Sequence, residues 1–337
     1  MFDVSVVIPL HNKARFIAAT MATVLEQSLK PCAIIVVDDG STDCGVEFVE
    51  EVASCNPGAG IRLVRQPNAG PGPARNRGIA EARSEWVALL DGDDLWRPDH
   101  LKTLAEVAHK CPQADVLATG FRVAETAEEA VLSSRTCLTV HLLDLFATPP
   151  DQSPLWTSCV AIRRNVVKQS GGFGAFWPGE DFELWARLAL QHDIACTDHV
   201  TATYVQNTGG LMEKHIQAGG GGAKLQPIFV TLDAALADAR YVARRPAVLS
   251  YRGALLKQVV RQALFRGEPK DARNIIAVNP DVFGAIDPLR VLSLLPQFLL
   301  IWALKAHRRI TDQKLGVSLQ RERARHRRLH PVKKNQP

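Results

Sequence analysis

Short apolar runs rich in β-branched residues alternate along the first third of the chain with segments whose apolar positions recur at helical spacing. Val4 to Pro9 is the first such run, the composition of a strand buried on both faces. Phe16, Ile17, Met21, Val24 and Leu25 follow at helical intervals, with Asn12 placed to cap the helix. Ala33 to Val37 predicts a second strand ending on Asp38-Asp39-Gly40, and Val46, Phe48, Val49 and Val52 mark a second helix. Next come a strand over Ile61 to Val64, a helix over Pro73 to Ala82 and a strand over Trp86 to Leu90. After a loop at Asp91 to Asp94, Pro98 suits the first turn of a helix through His109, and Asp115 to Thr119 predicts a further strand. Alternation with short connections predicts an α/β fold, a mostly parallel sheet flanked by helices. Such sheets bind ligands beyond the carboxyl ends of their strands, and the polar motifs of this chain fall there.

Farther along, Val160 to Ile162 reads as a strand, Gly171-Gly172-Phe173 as a turn and Asp181 to Leu190 as a helix. Gly209-Gly210 and Gly219 to Gly222 suggest a flexible flap, and the remainder reads as helical. The expected organisation is a nucleotide-binding α/β domain over 1–208, a Gly-rich segment and helical extension over 209–290, and an apolar helix with a basic tail over 291–337.

Composition narrows the class. With 337 residues and a hydrophobic fraction of 46%, the chain can bury a sizeable core. The first ten residues enter a strand directly, so no signal peptide is expected. Seven cysteines without a CxxC pair argue against a disulfide framework and a zinc site. From Lys305 onward, eleven Lys or Arg stand against Asp312 and Glu322, a net +9 that leaves −4 for the rest of a chain of total +5. Val291 to Leu304 is apolar, but it is shorter than the roughly 20 residues a span needs, and Pro296 interrupts it. This stretch and its basic tail read either as an anchor on an anionic membrane surface or as a buried helix followed by a basic tail. The tail lacks interleaved aromatics, so no nucleic-acid partner is expected.

Four segments carry candidate chemistry. In LLDGDDLW, Leu89 to Trp96, a buried strand delivers Asp91, Asp93 and Asp94 into one loop, an oxygen-donor set suited to Mn²⁺ or Mg²⁺. The same residues could instead serve as turn and cap before Pro98. In VVDDGSTD, Asp38 and Asp39 could accept hydrogen bonds from a base N–H or a ribose hydroxyl. An Asx turn with a helix cap at Ser41 or Thr42 is the other reading. Neither GxGxxG nor GxxxxGK[ST] occurs, which argues against dinucleotide and P-loop enzymes. In NAGPGPARNRGIA, Gly70 and Gly72 permit close backbone approach, and Arg75 or Arg77 could meet a pyrophosphate or a base, or both could be solvated. In PGEDFELWARL, Glu180 and Asp181 open a helix, where they favour its dipole or one of them serves as a general base.

Together SVVIPLHNK, VVDDGSTD, NAGPGPARNRGIA, LLDGDD and GGFGAFWPGEDFELWARL, in this order over roughly residues 3 to 190, resemble the family-2 glycosyltransferases of GT-A fold. The resemblance implies inverting transfer of a sugar from a nucleotide-diphosphate sugar to an acceptor hydroxyl. It implies that Pro9, His11, Asp39 and Arg75 border the base and ribose, that Asp91 meets the ribose or the metal shell, that Asp93 ligates Mn²⁺ or Mg²⁺, and that Asp181 is the catalytic base. His11 stands where relatives often carry an aromatic residue, and Asn207 or His215 is the candidate for a further metal or diphosphate contact. No QxxRW motif follows Glu180-Asp181, which weighs against a processive synthase. The expected acceptor is a glycan or lipid-linked sugar of cell-envelope or extracellular glycan biosynthesis, and the expected location is cytoplasmic or peripheral at the inner membrane face. A nucleotidyltransferase or a non-catalytic nucleotide-sugar-binding protein is the alternative.

Overall fold

In the computed structural model, residues 2–124, 138–206, 208–210, 227–284 and 287–294 are described. Their strands are β1 (Val4–Leu10), β2 (Ala33–Asp39), β3 (Ile61–Gln66), β4 (Trp86–Leu89), β5 (Leu95–Trp96), β6 (Val116–Ala124), β7 (Val140–Leu142), β8 (Val160–Arg163) and β9 (Ile194–Val205). The helices are α1 (Ala14–Leu25), α2 (Gly45–Cys55), α3 (Pro71–Glu81), α4 (His100–Lys110), α5 (Arg164–Gln169), α6 (Glu180–Ala189), α7 (Ile228–Ala237), α8 (Arg245–Phe265), α9 (Pro269–Val278) and α10 (Pro288–Ser293).

One sheet runs in the order β3-β2-β1-β4-β8-β6-β9-β5, with β7 on β9. β1, β2, β3 and β4 are mutually parallel, as the apolar runs predict, whereas β8 is antiparallel to both β4 and β6 and joins that half to the parallel pair β6–β9. β1 and β4 are buried almost throughout because both faces are covered. α1 turns Ile17, Met21 and Val24 into this core, and α3 lies on β1 and β2. That approach depends on Gly78, where a Cβ would sit 2.3 Å from Val7 Cγ1. The chain leaves β1 toward β2 and β3 on one side and returns to β4 on the other. The sheet therefore has its switch of direction at β1/β4, and the loops after β1, β2 and β4 open at one end of it.

Several local expectations are corrected. Asn12 does not cap α1: it takes φ 53°, and its side-chain oxygen accepts from the Thr42 amide. The α1 N-terminus is served instead by Asp43, which accepts from the Ala14 amide at 2.9 Å. Neither Ser41 nor Thr42 caps α2, which starts at Gly45 behind Cys44; the Asx turn does form, with the Ser41 amide donating to Asp38 Oδ1 at 3.0 Å. Pro98 precedes α4 by two residues rather than sitting in its first turn.

The described residues up to Ala254 form one compact unit, and those from Leu255 on belong to a second. The boundary expected at residue 208 therefore falls inside the first unit, because α7 and the first turns of α8 pack with it; Thr231 Oγ1, for example, donates to Glu183 at 2.6 Å. In the second unit, α9 packs on α10. Described cysteines are all free thiols. Among the described residues no helix is long and apolar enough to cross a membrane. Gly219 to Gly222, most of the apolar stretch 291–304 and the basic tail lie outside the described residues.

Candidate active site

The end of β2 is organised by a buried carboxylate. Asp39 Oδ1 accepts from Gln66 Nε2 and the Ala69 amide, and Oδ2 accepts from the Gly70 amide, each at 2.8 Å. Asp39 thereby fixes the loop that enters α3. Asp38 is held in its Asx turn, so both carboxylates accept from backbone amides. Pro9, at the end of β1, lies opposite Val37 in register. Beyond it the His11 Nδ1–H donates to the Asp39 carbonyl at 2.9 Å. Its Nε2 then accepts from the Asn68 amide nitrogen at 3.1 Å, which holds the half-exposed ring at the rim of this loop cluster.

Arg75 is the central cation. It is buried rather than solvated: its guanidinium donates to Asp91 Oδ1 at 2.7 Å and to Glu180 Oε1 at 2.8 Å, and lies 5.3 Å from the Phe173 ring. Arg77, by contrast, is exposed and pairs with Glu81. The two carboxylates hold Arg75 charged against the burial that opposes it. One guanidinium thus ties the loop after β4 to the start of α6. Gly72 makes the approach possible, since a Cβ there would stand 2.4 Å from the Gly174 carbonyl. Asn76 completes the seam, pairing with both the amide and the carbonyl of Phe173 at 2.8 Å.

The acidic loop divides its carboxylates. Asp94 turns inward and is buried, accepting from Ser158 Oγ at 2.5 Å, Trp156 Nε1 at 3.2 Å and the Val205 amide at 3.2 Å. Burial, with Asp91 and Asp93 adding repulsion, pushes Asp94 well above the usual carboxylate range. Ser158 also accepts from the Asp91 amide at 3.0 Å, so its hydroxyl links both ends of the loop. Asp93 faces the other way, pairing with the Lys13 ammonium and accepting from Thr208 Oγ1 at 2.7 Å. Asp181, half-buried at the start of α6, accepts from Thr157 Oγ1 at 3.2 Å. Burial raises its pKa above the aspartate range, with Arg75 pulling the other way.

The structure thus brings Asp91, Arg75, Glu180 and Asp181 into one cluster, with Asp93 in the same loop as Asp91 and with His11 and Asp39 on the neighbouring strand ends. Asn207 and His215 lie outside the described residues. Lys13, Gln66, Asn68, Thr208 and the Trp156-Thr157-Ser158 turn are contributors that motif reading passed over. Lys13 and Asn68 sat inside quoted motifs, whereas the 156–158 turn lies in a segment without periodic pattern. Among the described residues no group of three His, Cys, Asp or Glu is placed to hold a metal ion by itself. Asp91 and Asp93 nonetheless supply the hard oxygen donors that suit Mg²⁺ or Mn²⁺ when phosphate oxygens complete the shell.

A mixed sheet with carboxylates gathered at the ends of β2 and β4, on either side of the end of β1, has the layout of a GT-A-type domain. Residues 5–171 match the family model of glycosyl transferase family 2. Its relatives include an uncharacterized glycosyltransferase, EpsJ, of Bacillus subtilis, 36% identical over 118 residues, 35% of this chain and 33% of the relative. The succinoglycan biosynthesis protein ExoO of Rhizobium meliloti is 38% identical over 107 residues, 32% of this chain and 30% of the relative. The aligned part thus spans about a third of the length of these curated relatives. Among solved structures, S. aureus TarS in complex with UDP-GlcNAc superposes with a TM-score of 0.63 at 18% identity, covering 90% of this chain and 87% of that one. The mannosyltransferase PcManGT of Pyrobaculum calidifontis, in complex with GDP-Man and Mn²⁺, gives 0.55 at 18% identity over 92% and 87% of the two chains. At that identity these two likenesses establish the fold.

Proposed function

We propose that this chain is an inverting glycosyltransferase that moves a sugar from a nucleotide-diphosphate sugar to an acceptor hydroxyl. The observation that carries the reading is Arg75, which binds Asp91 of the acidic loop and Glu180 beside Asp181, so that the candidate cation ligands and the candidate base share one buried seam. His11, Asp38, Asp39 and Pro9 border the nucleotide. Arg75 acts on the nucleotide indirectly, by holding Asp91 and the α6 start in place. Asp93, with Asp91, holds Mn²⁺ or Mg²⁺; when bound, the ion supplies Lewis-acid stabilisation of charge on the leaving diphosphate. The family match and the donor and Mn²⁺ complexes of the two structural neighbours support both assignments.

Asp181 takes the acceptor proton. Its raised pKa suits it, since a base whose pKa approaches the working pH accepts a proton with more driving force than an ordinary aspartate. Thr157 Oγ1 orients the carboxylate from one side, and Glu180 stays committed to Arg75. The similarity to ExoO supports an acceptor in glycan biosynthesis. On its charge alone, the basic tail suits a peripheral position at the cytoplasmic membrane face. Calorimetry with UDP or GDP and Mn²⁺ tests the site. Asp93→Ala is expected to lose Mn²⁺-dependent nucleotide binding, whereas Asp181→Asn binds nucleotide as wild type and loses turnover about 10²–10⁴-fold. Equal behaviour of both variants and wild type overturns the assignment.

A further inference from the structure

Asp93 is already paired with a cation. Its Oδ2 already takes the Lys13 ammonium and the Thr208 hydroxyl, and Lys13 donates to Thr208 as well, at 3.3 Å. Both ionic side chains are largely covered, with 16% of Lys13 and 14% of Asp93 exposed. A carboxylate so placed is costly to leave unpaired. Both contacts fall on Oδ2, so a divalent ion entering at Oδ1 would stand beside the ammonium, and the repulsion between the two cations drives Lys13 off the carboxylate. The displaced ammonium then needs another anion within reach of its stem. Lys13 follows β1 directly, at the strand ends where the nucleotide would lie, and a lysine is a point charge on a flexible chain that can swing between two acceptors.

Resting on the reading of Asp93 as a cation ligand, we propose that Lys13 is a place-holding cation. It neutralises Asp93 while the donor is absent and passes to the diphosphate when Mn²⁺ or Mg²⁺ takes that carboxylate. Cation and nucleotide diphosphate then bind in a linked way, each lowering the cost of the other, because only together do they leave every charge paired. The device keeps the cation site closed to metal alone and opens it to metal with donor. Thr208 keeps its own contact to Asp93 and is not the group displaced.

Electron paramagnetic resonance of Mn²⁺ binding to the full chain tests this, without nucleotide and with saturating UDP or GDP. In wild type, UDP or GDP is expected to tighten Mn²⁺ binding by about tenfold or more. Lys13→Met, which keeps length and removes charge, should bind Mn²⁺ alone about tenfold more tightly than wild type and lose most of the nucleotide enhancement. Lys13→Arg retains the charge and should stay close to wild type, which separates charge from folding. Mn²⁺ binding alone that is unchanged or weaker in Lys13→Met overturns the proposal. Asp93→Ala in the same titration distinguishes the levels. Survival of Mn²⁺ binding in that variant removes Asp93 as the ligand and with it the site reading. Loss in Asp93→Ala beside wild-type behaviour in Lys13→Met removes the place-holder alone.

Discussion

Replacing Arg75 by Met removes one charge from between two carboxylates while keeping most of the aliphatic bulk against Phe173. The two partners respond differently. The Asp91 side chain is 22% exposed and can rehydrate, but the Glu180 side chain is 5% exposed and cannot. The cost is therefore that of stranding one buried carboxylate, about 3–5 kcal/mol, which lowers the melting temperature of a unit this size by about 6–20 °C. The deficit depends on pH in a defined direction. Glu180 already titrates above the usual glutamate range because burial outweighs the pull of Arg75, and without Arg75 it moves higher. A carboxylate with a raised folded pKa contributes most to stability below its unfolded pKa, and that contribution is lost as pH rises through the folded value. Arg75→Met should thus be close to wild type at pH 5 and far less stable at pH 8. Urea unfolding followed by tryptophan fluorescence reads this directly, since buried Trp185 stands edge-on to Phe173 at 6.1 Å. Adding Glu180→Gln should recover most of the loss. A deficit at pH 8 under about 1 kcal/mol, or one independent of pH, would show that the guanidinium does not carry the seam.

Two other outcomes follow from the same site. Gly72→Ala pushes a methyl to 2.4 Å from the Gly174 carbonyl; crowding of about 1–3 kcal/mol opposes a helix-propensity gain of up to about 1 kcal/mol, so urea unfolding should show a net loss, and a gain in stability would contradict the close approach. Because Asp181 must be ionised to accept a proton and its pKa is raised, kcat/KM should fall on acidification above the ordinary aspartate range; a limb at or below that range would exclude Asp181 as the base.

The framework was legible because strands covered on both faces write continuous apolar runs. β1, β2 and β4 stand within a residue or two of their predicted bounds, and their polar ends point to the site. The antiparallel insertion of β8 left no such signature, since a buried four-residue strand reads alike in either direction. Side-chain direction was also hidden. Asp93 and Asp94 are neighbours in one motif, but the turn sends one toward Lys13 and the other into the core with Ser158 and Trp156. Asp39 looked like a free acceptor, yet the Ala69 and Gly70 amides fold over it. Arg75 was legible as a candidate for a pyrophosphate or a base, but not as a tie between carboxylates, because its partners lie 16 and 105 residues away in sequence, a separation that spacing cannot encode.

Release of UDP or GDP from a panel of nucleotide sugars, measured with acceptor candidates and Mn²⁺ for wild type and Asp181→Asn, bears on the central claim more directly than any structural test. Wild type should release nucleotide from one donor in a cation-dependent way, and Asp181→Asn should fall about 10²–10⁴-fold below it with donor binding intact. Equal release by both proteins, or release unaffected by chelating the cation, would contradict a site in which Asp181 and Asp93 act on one donor.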